Sequence, residues 1–296
     1  MPILSIKHVT IYRYHQPVAF GEHRMMLRPR DDHDQRVIET ELKITPRPER
    51  LDWSRDKFGN HVATAAFTAQ AAELCFISTI RLDHAPADFD RASIAGYARI
   101  CPFRYRPKDL GRLKRYLRVP TSQAAVERWS AGFFGADGSA DTHDLLRGMT
   151  ETICRTFDHR ARHEEGTRSP QKTLRLGSGS CRDLAMLLIA ILRSRGLAAR
   201  FVSGYLHLDD DDDDTSGGNT HAWVQVYVPG PGWIDLDPSA GVVGNRNRVR
   251  VAVVPHPRAA VPLQGVWFGR AEDHLAMDVA VKVKAAAGPG VCKECE

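Results

Sequence analysis

The feature of the sequence that most constrains its fold is a long apolar run that follows a short glycine-serine turn. Residues 177–180 are Gly-Ser-Gly-Ser, and residues 183–195 are DLAMLLIAILRSR, followed by Gly196. The apolar side chains recur at helical spacing and also occupy most of the opposite side. This pattern predicts a helix from Asp183 to Arg195 that is buried nearly all round. Such a helix must be covered by other elements, so we expect it at the centre of a core.

Cys181 lies between this turn and the predicted helix. The first N–H groups of a helix lack intrahelical acceptors, and the helix dipole places partial positive charge at the same end. Both effects favour a thiolate, and a low thiol pKa distinguishes a reactive cysteine from an inert one. We therefore expect Cys181 to be a nucleophile whose own N–H is a candidate oxyanion donor. A buried structural cysteine is the alternative.

A nucleophilic cysteine needs a base and a group that orients the base. Residues 220–228 have the alternation and the β-branched and aromatic content of a strand, 229–232 form a Pro-Gly turn, and 233–238 form a second strand. In an antiparallel hairpin the start of the first strand lies beside the end of the second. His221 and Asp237 are thus predicted neighbours. Asp235 shares a face with Asp237, so strand periodicity does not separate the two.

The segments that carry these residues resemble the bacterial transglutaminase-like cysteine hydrolase family. They are GSCRDLAMLLIAILRSRGLAARFVSGYL and THAWVQVYVPGPGWIDLDPSAG. The resemblance implies a catalytic triad of Cys181, His221 and Asp237, and it favours Asp237 over Asp235 as the residue that fixes the imidazole. It implies no metal and no organic cofactor. Ser239 departs from the family, which usually has threonine after Asp-Pro.

The resemblance also covers the N-terminal segment, including Asp56-Lys57-Phe58-Gly59-Asn60, which is similar to the β-rich domain that precedes the catalytic domain in this family. Strand patterns are predicted at 3–14, 36–45, 61–69 and 73–83, which is typical of an antiparallel sandwich or small barrel.

Helices are predicted at 121–135 and 141–158. The expected fold class is therefore α+β, with a β-rich N-terminal domain at 1–90, a papain-like or transglutaminase-like catalytic domain at 91–284, and a flexible tail at 285–296.

The polar segment 159–176 directly precedes the glycine-serine turn and lacks periodicity, so we expect a loop that lines the cleft. His159 and His163 lie in this segment and are alternatives to His221 as the base. No predicted helix or strand fixes either of them.

Charge and cysteine usage limit the remaining classes of function. The net charge of +5 includes a run of six aspartates at Asp209–Asp214, and the arginines are scattered, so the sequence favours a peptide or protein substrate over nucleic acid. We expect no membrane partner, because no apolar run approaches the length of a membrane span. The N-terminus lacks the apolar core of a signal peptide, and the six cysteines form no framework, so we expect reduced thiols in the cytoplasm.

Two further motifs are not expected to form metal sites. The aspartate run lacks the glycine and the closing glutamate of a calcium loop, so a solvated loop is expected there. Cys292 and Cys295 form a lone Cys-x-x-Cys, which supplies two of the four ligands that a zinc site needs.

The expected chemistry is acyl transfer through a thioester on Cys181. Hydrolysis by a peptidase or amidase is favoured, because water needs no dedicated acceptor site whereas an amine does. Three alternatives stay open. They are a protein-glutamine transglutaminase, a non-catalytic peptide-binding protein, and a zinc protein with Cys181, His221 and Asp237 as ligands.

Overall fold

The structure is a computed structural model that describes residues 3–85, 87–119, 124–162, 166–207, 220–245 and 247–286. Four features singled out above lie outside these ranges: His163, the Asp209–Asp214 run, the Cys292/Cys295 pair and residues 287–296 of the predicted tail. Of the helices within the described ranges, none has the length and apolar character that a membrane crossing requires.

The chain is strand-rich at both ends and mixed in the middle. The strands are β1 (Ile3–Met25), β2 (Gln35–Thr45), β3 (Arg50–Arg55), β4 (His61–Ala66), β5 (Gln70–His84), β6 (Ile100–Cys101), β7 (Ala140–Asp141), β8 (Asp158–His159), β9 (Ser178–Gly179), β10 (Ala199–Leu206), β11 (Thr220–Val228), β12 (Gly232–Asp237), β13 (Val242–Val243), β14 (Arg248–Val254), β15 (Leu263–Phe268) and β16 (His274–Ala286). The helices are α1 (Pro107–Leu113), α2 (Ala124–Ala131), α3 (Thr142–Thr156), α4 (Pro170–Leu176) and α5 (Cys181–Ser194). The predicted α+β class with a β-rich N-terminal region is confirmed.

The first sheet is built on the long strand β1. Its strand order is β2-β5-β1-β4-β3, and β15 and β16 also pair with β1. The predicted strands 3–14, 36–45 and 73–83 lie within β1, β2 and β5, and the predicted strand 61–69 covers β4 and extends three residues beyond its end. Strand β3 was not predicted, because all six of its residues are exposed and it therefore shows no apolar alternation.

The C-terminal strands return to this first sheet. Strand β16 pairs along the first half of β1, from Ile3 to Tyr14, and β15 pairs with its second half. These residues were predicted to belong to the catalytic domain, since strand periodicity identifies a strand but not its partner. The boundaries 1–90 and 91–284 stay a prediction.

The second sheet is antiparallel, with the order β13-β12-β11-β10-β14, and it covers helix α5. Residues 184–192 of α5 are all buried. Alternate residues of β11 join the same buried cluster: Ala222, Val224, Val226 and Val228. The predicted central helix is thus confirmed, and it begins at Cys181 itself.

The segment 159–176 was predicted to be a loop, and this was wrong for its second half. Helix α4 begins after Ser169, whose side chain accepts a hydrogen bond from the Lys172 N–H, and Pro170 occupies its first turn. It ends at Gly177, which has a φ of 59°. Proline at the start and glycine at the end of a short segment are helix signals even where apolar periodicity is absent.

Asn60 joins the first sheet to the second. Its side chain is fully buried. Its amide donates to the carbonyl of Val253 at 3.0 Å and accepts from the N–H of the same residue at 2.9 Å. Asp56 holds the turn in place by accepting from the Asn60 N–H at 2.9 Å. The side-chain amide therefore pairs with the backbone of β14 as a neighbouring strand would.

We expect Asn60→Ala to lower the free energy of unfolding by on the order of 1–3 kcal/mol, because it leaves a buried N–H and a buried carbonyl of Val253 without partners. Urea unfolding followed by circular dichroism measures this change. The control is Ser54→Ala, at an exposed position of β3. Equal stability of the two variants would contradict the proposed joint.

Candidate active site

The turn before Cys181 is fixed by a buried carboxylate. Asp183 has no exposed surface, and its Oδ2 accepts from both the N–H and the hydroxyl of Ser180 at 3.1 Å. The Arg162 guanidinium, at 2.9 Å, and the Arg168 N–H, at 2.7 Å, complete its coordination. These bonds hold the first turn of α5, so that Cys181 begins the helix in one defined position.

A short parallel bridge brings His159 to this turn. Strand β8 pairs with β9 so that His159 lies opposite Gly179, and the Arg160 N–H donates to the Gly179 carbonyl at 3.0 Å. Any side chain at Gly179 would clash, because its Cβ would lie 2.7 Å from the Cβ of Asp183. The close approach of the two strands places the His159 imidazole beside the Cys181 thiol, and their interaction raises the pKa of the imidazole.

The structure brings His221 and Asp237 together. The His221 Nε2 lies 2.7 Å from the Asp237 Oδ2. The pairing of β11 with β12 ends at Val224 and Leu236, and extending it by one residue places Asp237 opposite Trp223. The two candidate residues are therefore diagonal neighbours on one face and not directly opposite, a separation that a histidine side chain spans.

Asp237 is completely buried and highly coordinated. Its Oδ2 also accepts from the Arg248 Nε at 3.0 Å and Nη2 at 2.8 Å. Its Oδ1 accepts from the Ser239 hydroxyl at 2.6 Å and N–H at 3.0 Å. Burial by itself would raise the pKa of this carboxyl, but the hydrogen bond and charge of His221 and the charge of Arg248 hold the pKa well below its usual range. The serine that departs from the family pattern supplies the hydroxyl that this bond requires.

Asp235, the rival of Asp237, has different partners. Its carboxylate accepts from the Trp223 indole N–H, from the Gln225 amide at 3.1 Å and from the Arg250 guanidinium at 3.0 Å. These groups lie between the two sheets. Asp235 therefore belongs to a structural network, and Asp237 is the carboxylate that contacts His221.

The thiol and the imidazole are strongly coupled. Burial by itself would raise the pKa of Cys181, but hydrogen bonds with His159 and His221 and the charge of His221 lower the pKa to about 6. Burial would lower the pKa of His221, whereas its bonds to Asp237 and Cys181 raise the pKa to about 9. The lowered pKa of the thiol and the raised pKa of the imidazole both favour a thiolate–imidazolium pair. Because the ionised Asp237 accepts from Nε2–H, Nδ1 is the nitrogen left to act on the sulfur.

His159 was expected only as an alternative to His221, and the structure places it beside Cys181 together with His221. Its hydrogen bond with Cys181 raises the pKa of its imidazole against the opposing effect of burial. Strand β8 has two residues, so no periodicity marks it. The available signal was its place in a polar segment just before the turn. Arg248 was missed, since a single arginine in a strand has no distinguishing pattern.

Two groups of possible metal ligands occur among the described residues, and neither includes the candidate triad. They are Asp32, His33 and Asp34, and Asp141, His143 and Asp144. Arg250 pairs with Asp34, and Arg91 pairs with Asp141 and Asp144. The carboxylates of both groups thus already have cationic partners.

Two family models match the chain. The bacterial transglutaminase-like N-terminal region matches residues 4–83, and the transglutaminase-like superfamily matches residues 136–238. An uncharacterized protein of Mycobacterium tuberculosis, Rv2569c, is 30% identical over 291 residues, which cover 94% of this chain and 91% of that protein. An uncharacterized protein of Mycobacterium leprae, ML0607, is 36% identical over 111 residues, which cover 37% of this chain and 38% of that protein.

A solved structure from Cytophaga hutchinsonii, described as a "putative cysteine protease", is similar over almost the whole chain. It matches with a TM-score of 0.74 and 18% identity, and the match covers 97% of this chain and 92% of that one. At this level of identity the similarity establishes the fold, which spans both sheets.

We expect iodoacetamide to alkylate Cys181 with a half-maximal rate near pH 6, as its pKa of about 6 requires. His221→Ala and His159→Phe should each raise this apparent pKa, because each removes a group that stabilises the thiolate. The double variant should exceed the ~8.5 of a free thiol, since burial remains. The rate is followed by intact mass against pH.

Cys75 is the internal reference for this experiment, because burial raises the pKa of its thiol. It should react at alkaline pH in every variant. A Cys181 profile that coincides with that of Cys75, or that neither histidine substitution shifts, would contradict the coupled pair.

We expect Arg248→Gln to lower the free energy of unfolding at pH 7 by about 3–5 kcal/mol, because it leaves the buried Asp237 carboxylate short of a counter-charge. The pKa of Asp237 is depressed in the folded protein. Its ionised form therefore contributes stability above the unfolded value of ~3.9, and that contribution is lost as the pH falls. The difference in free energy of unfolding between the wild type and Arg248→Gln should accordingly decrease below about pH 4.

Urea unfolding at pH 7 and at pH 3 measures both effects. The matched control is Arg155→Gln, at an exposed position of α3. A deficit of the same size at both pH values would contradict the electrostatic origin.

Proposed function

Because the chain belongs to the transglutaminase-like superfamily, we propose that it is a cysteine-dependent hydrolase that cleaves amide bonds of a peptide or protein through a thioester. The observation that best supports this proposal is the low-pKa thiol of Cys181 beside an imidazole that an ionised carboxylate orients. A structural cysteine has no need of this arrangement. Cys181 is the proposed nucleophile, His221 the general acid and base, and Asp237 the residue that orients the imidazole.

In the first step, the Cys181 sulfur attacks the carbonyl carbon of the amide, and a C–S bond forms while the carbonyl oxygen becomes negative. The backbone N–H of Cys181, at the start of α5, has no intrahelical acceptor and is the proposed first donor to this oxygen. The His159 imidazole lies against the same sulfur and is the proposed second donor. Its raised pKa favours the protonated form that this role uses.

In the second step, the Nδ1–H of His221 passes its proton to the leaving nitrogen, the C–N bond breaks, and the amine departs. The acyl group stays on Cys181 as a thioester. A water molecule then gives a proton to the neutral His221 while its oxygen attacks the thioester carbon. Collapse of this second intermediate breaks the C–S bond, releases the acid and restores the thiolate beside the imidazolium.

Asp237 contributes by holding His221 in the correct tautomer. Its four additional hydrogen bonds from Arg248 and Ser239 keep it ionised and immobile. The imidazole therefore stays oriented while its charge changes during the reaction.

We propose the cytoplasm as the compartment of this activity. The four cysteines of the described residues, Cys75, Cys101, Cys154 and Cys181, are all free thiols. A reducing compartment keeps such thiols, including the proposed nucleophile, in the active form.

The test is a screen of peptide p-nitroanilides and of glutamine-containing peptides, with and without dansylcadaverine as an amine acceptor. Hydrolysis should release p-nitroaniline or ammonia with no label in the product. Cys181→Ala should abolish turnover, and His221→Ala and Asp237→Asn should lower kcat/KM by about 10³-fold or more, in line with the loss of a triad member.

The matched control is Cys75→Ala, which removes a thiol of the first sheet and should retain full activity. Incorporation of dansylcadaverine in preference to hydrolysis would instead favour a transglutaminase. Saturable peptide binding by both the wild type and Cys181→Ala, with no thioester detectable by mass in either, would favour a non-catalytic binding protein.

A further inference from the structure

Arg200 differs from the other buried arginines in its lack of a negative or carbonyl partner. Four arginine side chains of the described residues are buried. Three of them donate to carboxylates or to backbone carbonyls: Arg193, Arg248 and Arg250. Arg200 is 9% exposed, and its one hydrogen bond within the described ranges runs from Nε to the Gln225 amide oxygen at 2.9 Å. A buried cation without a counter-charge is costly.

Two terminal nitrogens of the Arg200 guanidinium are available to a ligand. Its face stacks on the Trp233 ring, with 3.9 Å between the guanidinium carbon and the ring centroid, and Gln225 occupies Nε. The two terminal nitrogens have no acceptor within the described parts of the chain. Together they form the fork that binds two oxygens of a carboxylate or phosphate.

Arg200 lines a cleft of about 270 Å³ between the two sheets and the connecting segment. Three further cations line the cleft: Lys57, Arg112 and Arg115. Arg112 is paired with Asp109 at 2.5 Å, so Lys57, Arg115 and Arg200 remain without a carboxylate partner in the described residues. The rings of Phe58 and Trp233 form apolar walls. The cleft therefore combines excess positive charge with aromatic surface.

The nearest acidic side chain along the sheet does not supply the missing charge. Asp235 lies opposite Gln225 in the pairing of β11 with β12, and its oxygens accept from Trp223, Gln225 and Arg250. Burial lowers the pKa of Arg200 to about 10, and the charges of Tyr116 and Asp235 only partly oppose the effect. A bound anion would remove this imbalance.

The cleft is separate from the candidate active site. Arg200 pairs with Gln225 in the register of β10 with β11, and Gln225 lies four residues along β11 from His221. At about 3.3 Å per residue this is about 13 Å. The turn that contributes Lys57 and Phe58 comes from the first sheet, which contributes none of the candidate catalytic residues.

We propose that this cleft is a binding site for a small oxyanion ligand, a carboxylate or phosphate monoester that carries an aromatic or similar apolar group. The fork of Arg200 binds two of its oxygens, and Lys57 and Arg115 add charge at the rim. The apolar group lies against Phe58 and Trp233. A cleft of about 270 Å³ accommodates a substituted benzene ring with one acidic group.

The experiment is isothermal titration calorimetry on the full chain carrying Cys181→Ala, which removes the proposed nucleophile and so separates binding from turnover. The probes are phenyl phosphate, phenylacetate and inorganic phosphate, with benzyl alcohol as the neutral control. We expect one-site binding of phenyl phosphate or phenylacetate that weakens with added NaCl, weaker binding of inorganic phosphate, and no binding of benzyl alcohol.

Two kinds of variant test the site: substitutions of the rim residues Lys57 and Arg115, which leave the core intact, and a substitution of the buried Arg200. Lys57→Gln with Arg115→Gln should weaken binding at least tenfold, whereas Arg155→Gln on α3 should leave it unchanged. Arg200→Lys, which keeps the charge but loses the fork, should also weaken binding at least tenfold, with its fold checked by circular dichroism. Absence of saturable binding to every anionic probe, or equal affinity in the rim variant and Arg155→Gln, would overturn the proposal.

Discussion

The arrangement of the candidate site depends on one fully buried carboxylate. Asp237 has no contact with solvent, so its charge must be compensated inside the protein. Arg248 compensates it from β14, Ser239 donates from the turn after β12, and His221 donates from β11. Each of these partners comes from a different part of the second sheet, so the sheet must be assembled before the carboxylate is stable. The same charge then sets the tautomer and raises the pKa of His221, which in turn lowers the pKa of Cys181.

A second buried carboxylate performs the corresponding task at the other half of the site. Asp183 ties the first turn of α5 to Ser180, Arg162 and Arg168. It thereby fixes both the helix start, where Cys181 lies, and the approach of β9, beside which β8 carries His159. The Cys181 sulfur thus lies between two elements that are each held by an ionised aspartate. This explains how a helix whose middle is apolar on every side can begin with a polar first turn.

The interface between the two sheets is also built from charges. Asp34, which directly precedes β2, and Asp235 of β12 both bind Arg250. Asn60 pairs with the backbone of β14. Of the four buried arginines in the described residues, Arg200 is the one that lacks a carboxylate or backbone carbonyl partner. The contrast supports the proposal of an exogenous anion at Arg200.

The sequence by itself determined the elements whose pattern is local. The apolar run after Cys181 predicted α5, the alternating segment with its Pro-Gly turn predicted β11 and β12, and the chain order of Cys181, His221 and Asp237 identified the candidate triad. The tertiary structure decided which groups meet. It separated Asp237 from Asp235, brought His159 to the thiol through a two-residue bridge, supplied Arg248, and returned β15 and β16 to the first sheet. The reason is physical, because hydrophobic period encodes which face of a segment is buried. Hydrogen bonds and ion pairs between distant segments produce no periodic pattern in the sequence. The residue type arginine also does not show whether the side chain is buried or exposed.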